Sequence, residues 1–345
     1  MAPSRAQQLA FAGLQTARVA FYGAHYLAAR LVARDAFNAV EKPDHPMPSL
    51  AATARAMAEL FAQDWRNVEA GLYPAPLNIL KEARRATASI EYLRDIPSVV
   101  KRQRRHGHSE AMEKGEGKPR YYRQNFHYQT DGYLSEDSAR IYDFQVEALF
   151  AGTAEAMRRR AYVPIAEYLE SRDPAKTRLL DIGAGTGRFL SFVKSVQPGL
   201  KATALDLSEP YLSRAKRALR RAGGVDFVEA AAEEMPLKGS SVDIAVSIYL
   251  FHELPPKVRA MAAKEIARVL KPGGIFVLAD TIQYGDMPEF DGLIDVFPGL
   301  LHEPYYKTYA QTDLGKLFAP LKHTSDDIAY LTKISVFEKP KARKR

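Results

Sequence analysis

Leu179-Leu180-Asp181-Ile182-Gly183-Ala184-Gly185-Thr186-Gly187-Arg188-Phe189-Leu190 decides the fold of this chain. An apolar run reads as a buried strand, three alternating glycines as a tight turn, and Arg188 onward as the start of a helix. Backbone must therefore pass close to a ligand at the carboxyl end of the strand. The turn lacks the Gly-Lys-Ser/Thr ending of nucleotide-phosphate loops. Its spacing is G-x-G-x-G, not the G-x-G-x-x-G of dinucleotide folds. Asp181, two residues before the first glycine, would face a pyrophosphate with like charge, at a cost of several kcal/mol once both are desolvated. The expected ligand is cationic near that end.

Outward from this turn the texture alternates strand, turn and helix, which predicts a parallel, doubly wound α/β sheet. Strands are expected at 178–182, 202–207, 225–229, 242–248 and 274–280, with helices at about 186–196, 208–222 and 255–270. A pair at about 328–331 and 333–337 would close the sheet as an antiparallel hairpin, making seven strands. Asp206 lies 19 residues beyond Gly187, at the end of the second expected strand, where a carboxylate can accept from ribose hydroxyls. Taken singly, the glycines also suit a plain strand–helix junction, and Asp206 a helix cap. Together, in that order, they describe a nucleoside carrying a cation and no phosphate, as S-adenosylmethionine does.

This constellation, with Leu-Lys-Pro-Gly-Gly at 270–274 before the fifth strand, resembles class I S-adenosylmethionine-dependent methyltransferases, and among them the ubiquinone/menaquinone-biosynthesis C-methyltransferase-like group. The resemblance covers about 137–280, extends more loosely over the C-terminal hairpin, and omits residues 1–120. It implies a Rossmann-like seven-stranded sheet and a small-molecule methyltransferase that uses S-adenosyl-L-methionine. The cofactor residues it implies are Asp181 toward the methionine ammonium, Gly183, Ala184, Gly185 and Gly187 along the methionine and ribose, Asp206 and Leu207 at the ribose, and Ser247 nearby. The group usually carries an acidic residue after the third strand for the adenine amino group. Here Ala231 stands at that point, so Ala232 and Glu233 are the expected adenine contacts.

The end of the fourth strand reads Ser247-Ile248-Tyr249-Leu250-Phe251-His252-Glu253-Leu254, without the Asn/Asp-Pro-Pro-Tyr of amine methylases. The stretch resembles the V-S-x-x-x-L-H-x-L of small-molecule methyltransferases, and with the aromatic segments described below that resemblance implies a small hydrophobic acceptor, quinol-, phenol- or lipid-like, methylated at carbon or oxygen. His252, His302 and His127 are the candidate bases, since histidine changes charge near neutrality; a helix-capping histidine is the plainer reading of His252. Tyr249, Gln283, Tyr305 and Tyr306 are candidate substrate walls, with ordinary aromatic core as the alternative. Residues 121–144 hold seven Phe/Tyr in 24 positions, about three times the 10% of the whole chain. This segment is expected to fold as a lid, with Tyr128 and Tyr133 facing the cation and Asp131-Gly132 as hinge.

The chain has 345 residues, 46% hydrophobic and 26% charged, and no cysteine. That composition is ordinary globular material, and it excludes disulfides, thiolate metal sites, iron–sulfur clusters and a cysteine nucleophile. The net charge of +8 is concentrated in residues 1–34, in 101–123 (eight Lys/Arg against three Glu) and in the terminal KPKARKR. Helices are expected at Ala6–Leu31, through Leu9, Phe11, Leu14, Val19, Phe21, Leu27 and Leu31, and at about 48–70, 77–93 and 136–169. Residues 101–120 read as a mobile, basic loop. Three segments follow: a helical region with basic linker (1–120), an aromatic lid with lead-in helix (121–176), and the cofactor-binding core (177–345). The expected partners are the small acceptor, a membrane surface met through the first helix, and a second copy of the chain, with nucleic acid not expected. The expected location is cytoplasmic with membrane association, although the acid-free N-terminus also matches an organelle transit peptide. An RNA or protein methyltransferase and a non-catalytic accessory protein of the same fold are the rival functions.

Overall fold

Strand residues Leu179–Ile182 and Ile244–Val246 are buried on both faces, as parallel strands covered by helices on each side require. A computed structural model describes residues 3–32, 34, 42–78, 88–105 and 109–341. They form two compact units. Unit 1 comprises Met1–Met157 and Glu289–Glu303, and unit 2 comprises Arg158–Pro288 and Pro304–Arg345.

Unit 2 is built on a seven-stranded sheet: β1 Arg178–Ile182, β2 Lys201–Asp206, β3 Val225–Glu229, β4 Val242–Ile248, β5 Leu270–Thr281, β6 Lys322–Ala329 and β7 Thr332–Glu338. The order is β3-β2-β1-β4-β5-β7-β6, parallel through β5, with β7 antiparallel to both β5 and β6. The chain moves from β1 outward to β2 and β3, then returns past β1 to β4. That reversal makes the carboxyl ends of β1 and β4 the topological switch point, where ligands of such sheets bind. The expected doubly wound sheet is what the chain forms. Two expectations shift in detail. The hairpin turns at Tyr330-Leu331 and its strands are longer, and β5 begins at Leu270 because the segment from there onward pairs with β4 across a register shift.

Unit 1 is helical: α1 Arg5–Val32, α2 Leu50–Glu69, α3 Ala88–Arg105, α4 Ser109–Lys114, α5 Glu136–Leu149 and, beyond β5 in the chain, Asp291–Leu301. The stretch expected as a loop is helical on both sides of residues 106–108, which lie outside the described residues, as do 79–87 of the expected third helix. Ile96 and Val100 of α3 are buried against Ala29 and Tyr92, and that apolar anchor outweighs the basic composition. Residues 136–169 are three helices: α5, α6 Ala154–Arg160 and α7 Val163–Leu169. The first break falls at Ala151-Gly152, both left-handed, and the Gly152 carbonyl accepts from the Arg18 guanidinium (3.1 Å from Nη2). A Cβ on Gly152 would meet the Arg18 carbonyl oxygen at 2.9 Å, so glycine permits this approach of α1.

The buried stripe of α1 is Phe11, Gln15, Arg18 and Tyr22, while Leu9, Leu27 and Leu31 are exposed, against the expected pattern. The cause is Arg18, whose Nη2 lies 2.8 Å from Glu147 Oε2, both groups almost completely buried. Around this pair, Phe21, Tyr22, His25 and Tyr92 crowd the Phe144 ring with centroids 5.1–6.1 Å away. Segment 289–303 joins unit 1 through Gly292 N–H, which donates to the Pro46 carbonyl, and through Asp295, which accepts from His45 N–H. The unit boundaries, drawn by such distant contacts, do not coincide with 120/121 or 176/177. Among the described residues, no helix is long and apolar enough to cross a membrane.

Candidate active site

Asp181, next to last in β1, is 1% exposed, and its Oδ2 has no hydrogen-bond partner among the described residues. Burial raises its pKa to about 8; the nearby charge of Asp206 adds to the rise and Arg158 opposes it. A buried acceptor in that state is met by a ligand bringing an N–H donor or a cation. The turn that follows is held by Gly183 and Ala184, whose N–H groups both donate to the Leu205 carbonyl. Gly183, Gly185 and Gly187 are all left-handed, at φ of 73°, 54° and 74°. Their roles separate on what a side chain would meet. At Gly187 a Cβ would lie 3.0 Å from that of Ala215, in α9 (Glu209–Leu219), and at Gly183 it would press on Leu250. At Gly185 it would enter open space. Gly185 is thus the open floor of the cradle, and Gly187 is the helix-packing glycine opening α8 (Arg188–Val196).

Asp206 ends β2, half-buried, and both its oxygens are oriented by backbone: Gly185 N–H donates to Oδ2 (2.7 Å) and Ser208 N–H to Oδ1 (2.8 Å). The cap of α9 is supplied instead by Ser208 Oγ, accepting from Tyr211 N–H. Leu207 is half-buried beside Asp206. Ala232 is buried and Glu233 half-buried in the turn after β3. Ser247 is fully buried, its hydroxyl donating to the Ile182 carbonyl, so it ties β4 to the end of β1.

A second polar centre sits at the ends of β4 and β5. His252 Nδ1 lies 2.6 Å from Asp280 Oδ1, Phe251 N–H donates to Asp280 Oδ2, and Thr281 N–H donates to Oδ1. Burial works against charging His252, but the charge and hydrogen bond of Asp280, aided by Glu253, hold its pKa above the ordinary value. The ring stands edge-on to Tyr306 and Tyr309, with centroids 5.6 and 6.4 Å away. Sequence reasoning did not assign Asp280, although a lone carboxylate closing the apolar run Ile275–Ala279 was a signal. Arg259, in α10 (Pro256–Val269), gave none. It is 1% exposed and donates to the carbonyls of Phe251 and Tyr305, clamping the His252 turn to α11 (Tyr306–Ala310).

Other expected substrate walls have internal work. Gln283 spends its side-chain N–H groups on the carbonyls of Tyr309 and Thr312. Tyr249, left-handed at φ 55°, bonds Thr332 through its hydroxyl at 2.5 Å. Tyr305 is half-buried and Tyr306 buried.

His127, His302, Tyr128 and Tyr133 belong to unit 1. The aromatic segment expected as a lid is core there. Phe126 stacks on Tyr133 at 5.5 Å, and Tyr128 (3% exposed) lies beside His302 at 5.3 Å. Burying those rings is worth more than leaving them poised in water. His127 Nε2 is 3.4 Å from Glu303 Oε1, and His302 Nε2 is 3.1 Å from Gln124 Oε1.

Residues 180–278 match a family model described as a methyltransferase domain. Over 165 residues the chain is 30% identical to a ubiquinone/menaquinone biosynthesis C-methyltransferase of Methylobacterium nodulans, covering 46% of this chain and 62% of that protein. Over 101 residues it is 37% identical to a malonyl-[acyl-carrier protein] O-methyltransferase of Methylococcus capsulatus, covering 29% and 36%. The chain thus spans less than two thirds of the length of either relative. A solved structure of a SAM-dependent methyltransferase from Methanosarcina mazei aligns over 52% of this chain and 99% of that one, at 21% identity and a TM-score of 0.42.

Proposed function

We propose that this chain, whose residues 180–278 carry a methyltransferase domain of the class I type, is an S-adenosylmethionine-dependent methyltransferase acting on carbon or oxygen of a small hydrophobic acceptor, quinol-, phenol- or lipid-like. The observation that carries the reading is Asp181, a buried carboxylate with one oxygen lacking a partner among the described residues, beside the open floor at Gly185. When bound, the cofactor supplies a methyl group on a sulfonium. Asp181 would accept from its ammonium, Gly185 would let the backbone approach, and Asp206 would accept from the ribose hydroxyls, with Ala232 and Glu233 the residues that would hold the adenine. Like a relative's C-methylation and another's O-methylation, the reaction needs desolvation and alignment more than protein covalency.

His252 receives the acceptor's proton at Nε2, while Asp280 fixes the ring through Nδ1. Its raised pKa means that the base becomes available only as pH rises above the ordinary histidine range. Titration calorimetry of the full chain tests the reading. S-adenosylmethionine should bind, Asp206→Ala should lose about 1.5–3 kcal/mol as for hydrogen bonds of a charged group, and NAD should not compete. Tight NAD binding, or no binding of S-adenosylmethionine, overturns it.

A further inference from the structure

Unit 1 contains a cavity of its own, of about 120 Å³, walled by α1, α3, α5, the turn at His127–Gln129 and the helix at Asp291–Leu301. Its lining is mostly apolar, with Ile96 and Val100 on α3, Val146 on α5 and Leu300 opposite. Its polar members include Gln103, His127 and Gln129 and, on α3 and α5, the acceptors of Asp95 and Gln145. Asp95 Oδ1 accepts from Thr130 Oγ1 at 2.6 Å, and Arg102 donates in turn to the same hydroxyl, so the carboxylate is fixed in place. Its other oxygen, Oδ2, is buried with no hydrogen-bond partner among the described residues. Gln145 Oε1, from the facing helix α5, is in the same condition.

Two buried acceptors without donors cost free energy that a donor-bearing guest returns. The size limits the guest: an apolar cavity of roughly 150 Å³ holds one benzene ring, and this one, at about 120 Å³ and partly open, admits at most a single ring with part of it toward the opening. The tyrosines Tyr26, Tyr92 and Tyr142 in the wall offer ring faces and edges to an aromatic guest. We propose that unit 1 binds a single-ring phenol in this cavity, its hydroxyl donating to Asp95 Oδ2 and its ring held among Ile96, Val100, Val146 and Leu300. The inference concerns unit 1 alone and does not depend on methyl transfer.

Fluorine NMR of 4-fluorophenol with the full chain tests it, against 4-fluoroanisole, which has the same ring and no donor, and against cyclohexanol, which has the donor and no aromatic ring and is read as a competitor displacing 4-fluorophenol. Saturable broadening of 4-fluorophenol is expected, with both controls about tenfold or more weaker. Asp95→Asn places an amide against the guest and should erase the preference for the phenol over the anisole. Val100→Phe fills the space and should abolish binding; circular dichroism on that variant checks folding, and Asp95→Asn decides the matter if it unfolds. Equal binding of phenol and anisole, equal binding of cyclohexanol, no saturable binding, or an unchanged preference in Asp95→Asn each overturns the inference. Calorimetry with S-adenosylmethionine on the same samples keeps its failure distinct from failure of the methyltransferase reading.

Discussion

Glu147 of unit 1 and Asp181 of unit 2 are both carboxylates with 2% exposure or less, yet they have opposite surroundings. Glu147 faces a buried guanidinium at 2.8 Å, and the Arg18 side chain also holds the Gly152 carbonyl. Asp181 meets Arg158 only as the weakest of its influences and is pushed up by burial and by Asp206. Burial of an acid is therefore not a functional sign in itself. A buried acid whose partner is supplied by the fold staples helices together; one whose partner is not supplied is an invitation to a ligand. The same contrast separates Ser247, whose hydroxyl is consumed by the Ile182 carbonyl, from Gly185, whose Cα faces open space.

The largest expected effect breaks the stapled half of this contrast. Glu147→Ala leaves Arg18 buried without its counter-charge and should lower stability by about 3–5 kcal/mol in urea titrations, whereas Arg18→Met with Glu147→Leu should recover most of it. Asp181→Asn should show no such loss. If it costs as much as Glu147→Ala, the two acids are alike and the contrast fails.

The second effect sharpens the contrast by pH. With a folded pKa of about 8 against an ordinary carboxylate value unfolded, Asp181 keeps its proton in the native state between about pH 4 and 8. The unfolded chain releases it there. Stability should therefore fall with rising pH relative to Asp181→Asn, by at most about 1.4 kcal/mol per pH unit, and the gap should level off above pH 8. Denaturation of both proteins at pH 5, 6 and 7 measures it; parallel curves would remove the raised pKa. Binding a cationic ligand at pH 7 should release protons, which calorimetry in buffers of different ionisation enthalpy detects.

The smallest effect distinguishes two glycines. Gly187→Ala drives a methyl onto Ala215 and should destabilise by about 1–3 kcal/mol. Gly185→Ala meets no protein atom and should cost about 1 kcal/mol of backbone strain, while weakening S-adenosylmethionine binding far more. Equal losses of stability, or equal losses of binding, would merge the two roles.

The glycine turn, Asp181 and Asp206 were legible because they sit at the ends of strands whose burial pattern repeats locally, and a chain-order rule then places them at one edge of the sheet. His252 was legible as a residue, but its partner Asp280, 28 positions away, was not. The aromatic segment 121–144 was legible as a segment that packs, but not in what it packs against. Ring density reports that surface will be buried without saying against what, and here Phe126, Tyr128 and Tyr133 are buried inside unit 1.

By itself, then, the amino-acid order determined the alternation of strands and helices in unit 2, the sheet class, and the position of the glycine turn after β1. These follow from periodicities of two and 3.6 residues and from the backbone freedom of glycine, all of them properties of neighbours in the chain. Tertiary structure alone decided that Arg18 turns inward to Glu147, that residues 289–303 join unit 1, that 136–169 breaks at Gly152, and that Asp181 Oδ2 has no hydrogen-bond partner among the described residues. Each is a question of which distant group arrives to meet a buried charge or close a turn. No local pattern carries that, because the free energy at stake belongs to the pair and exists only once the two are brought together.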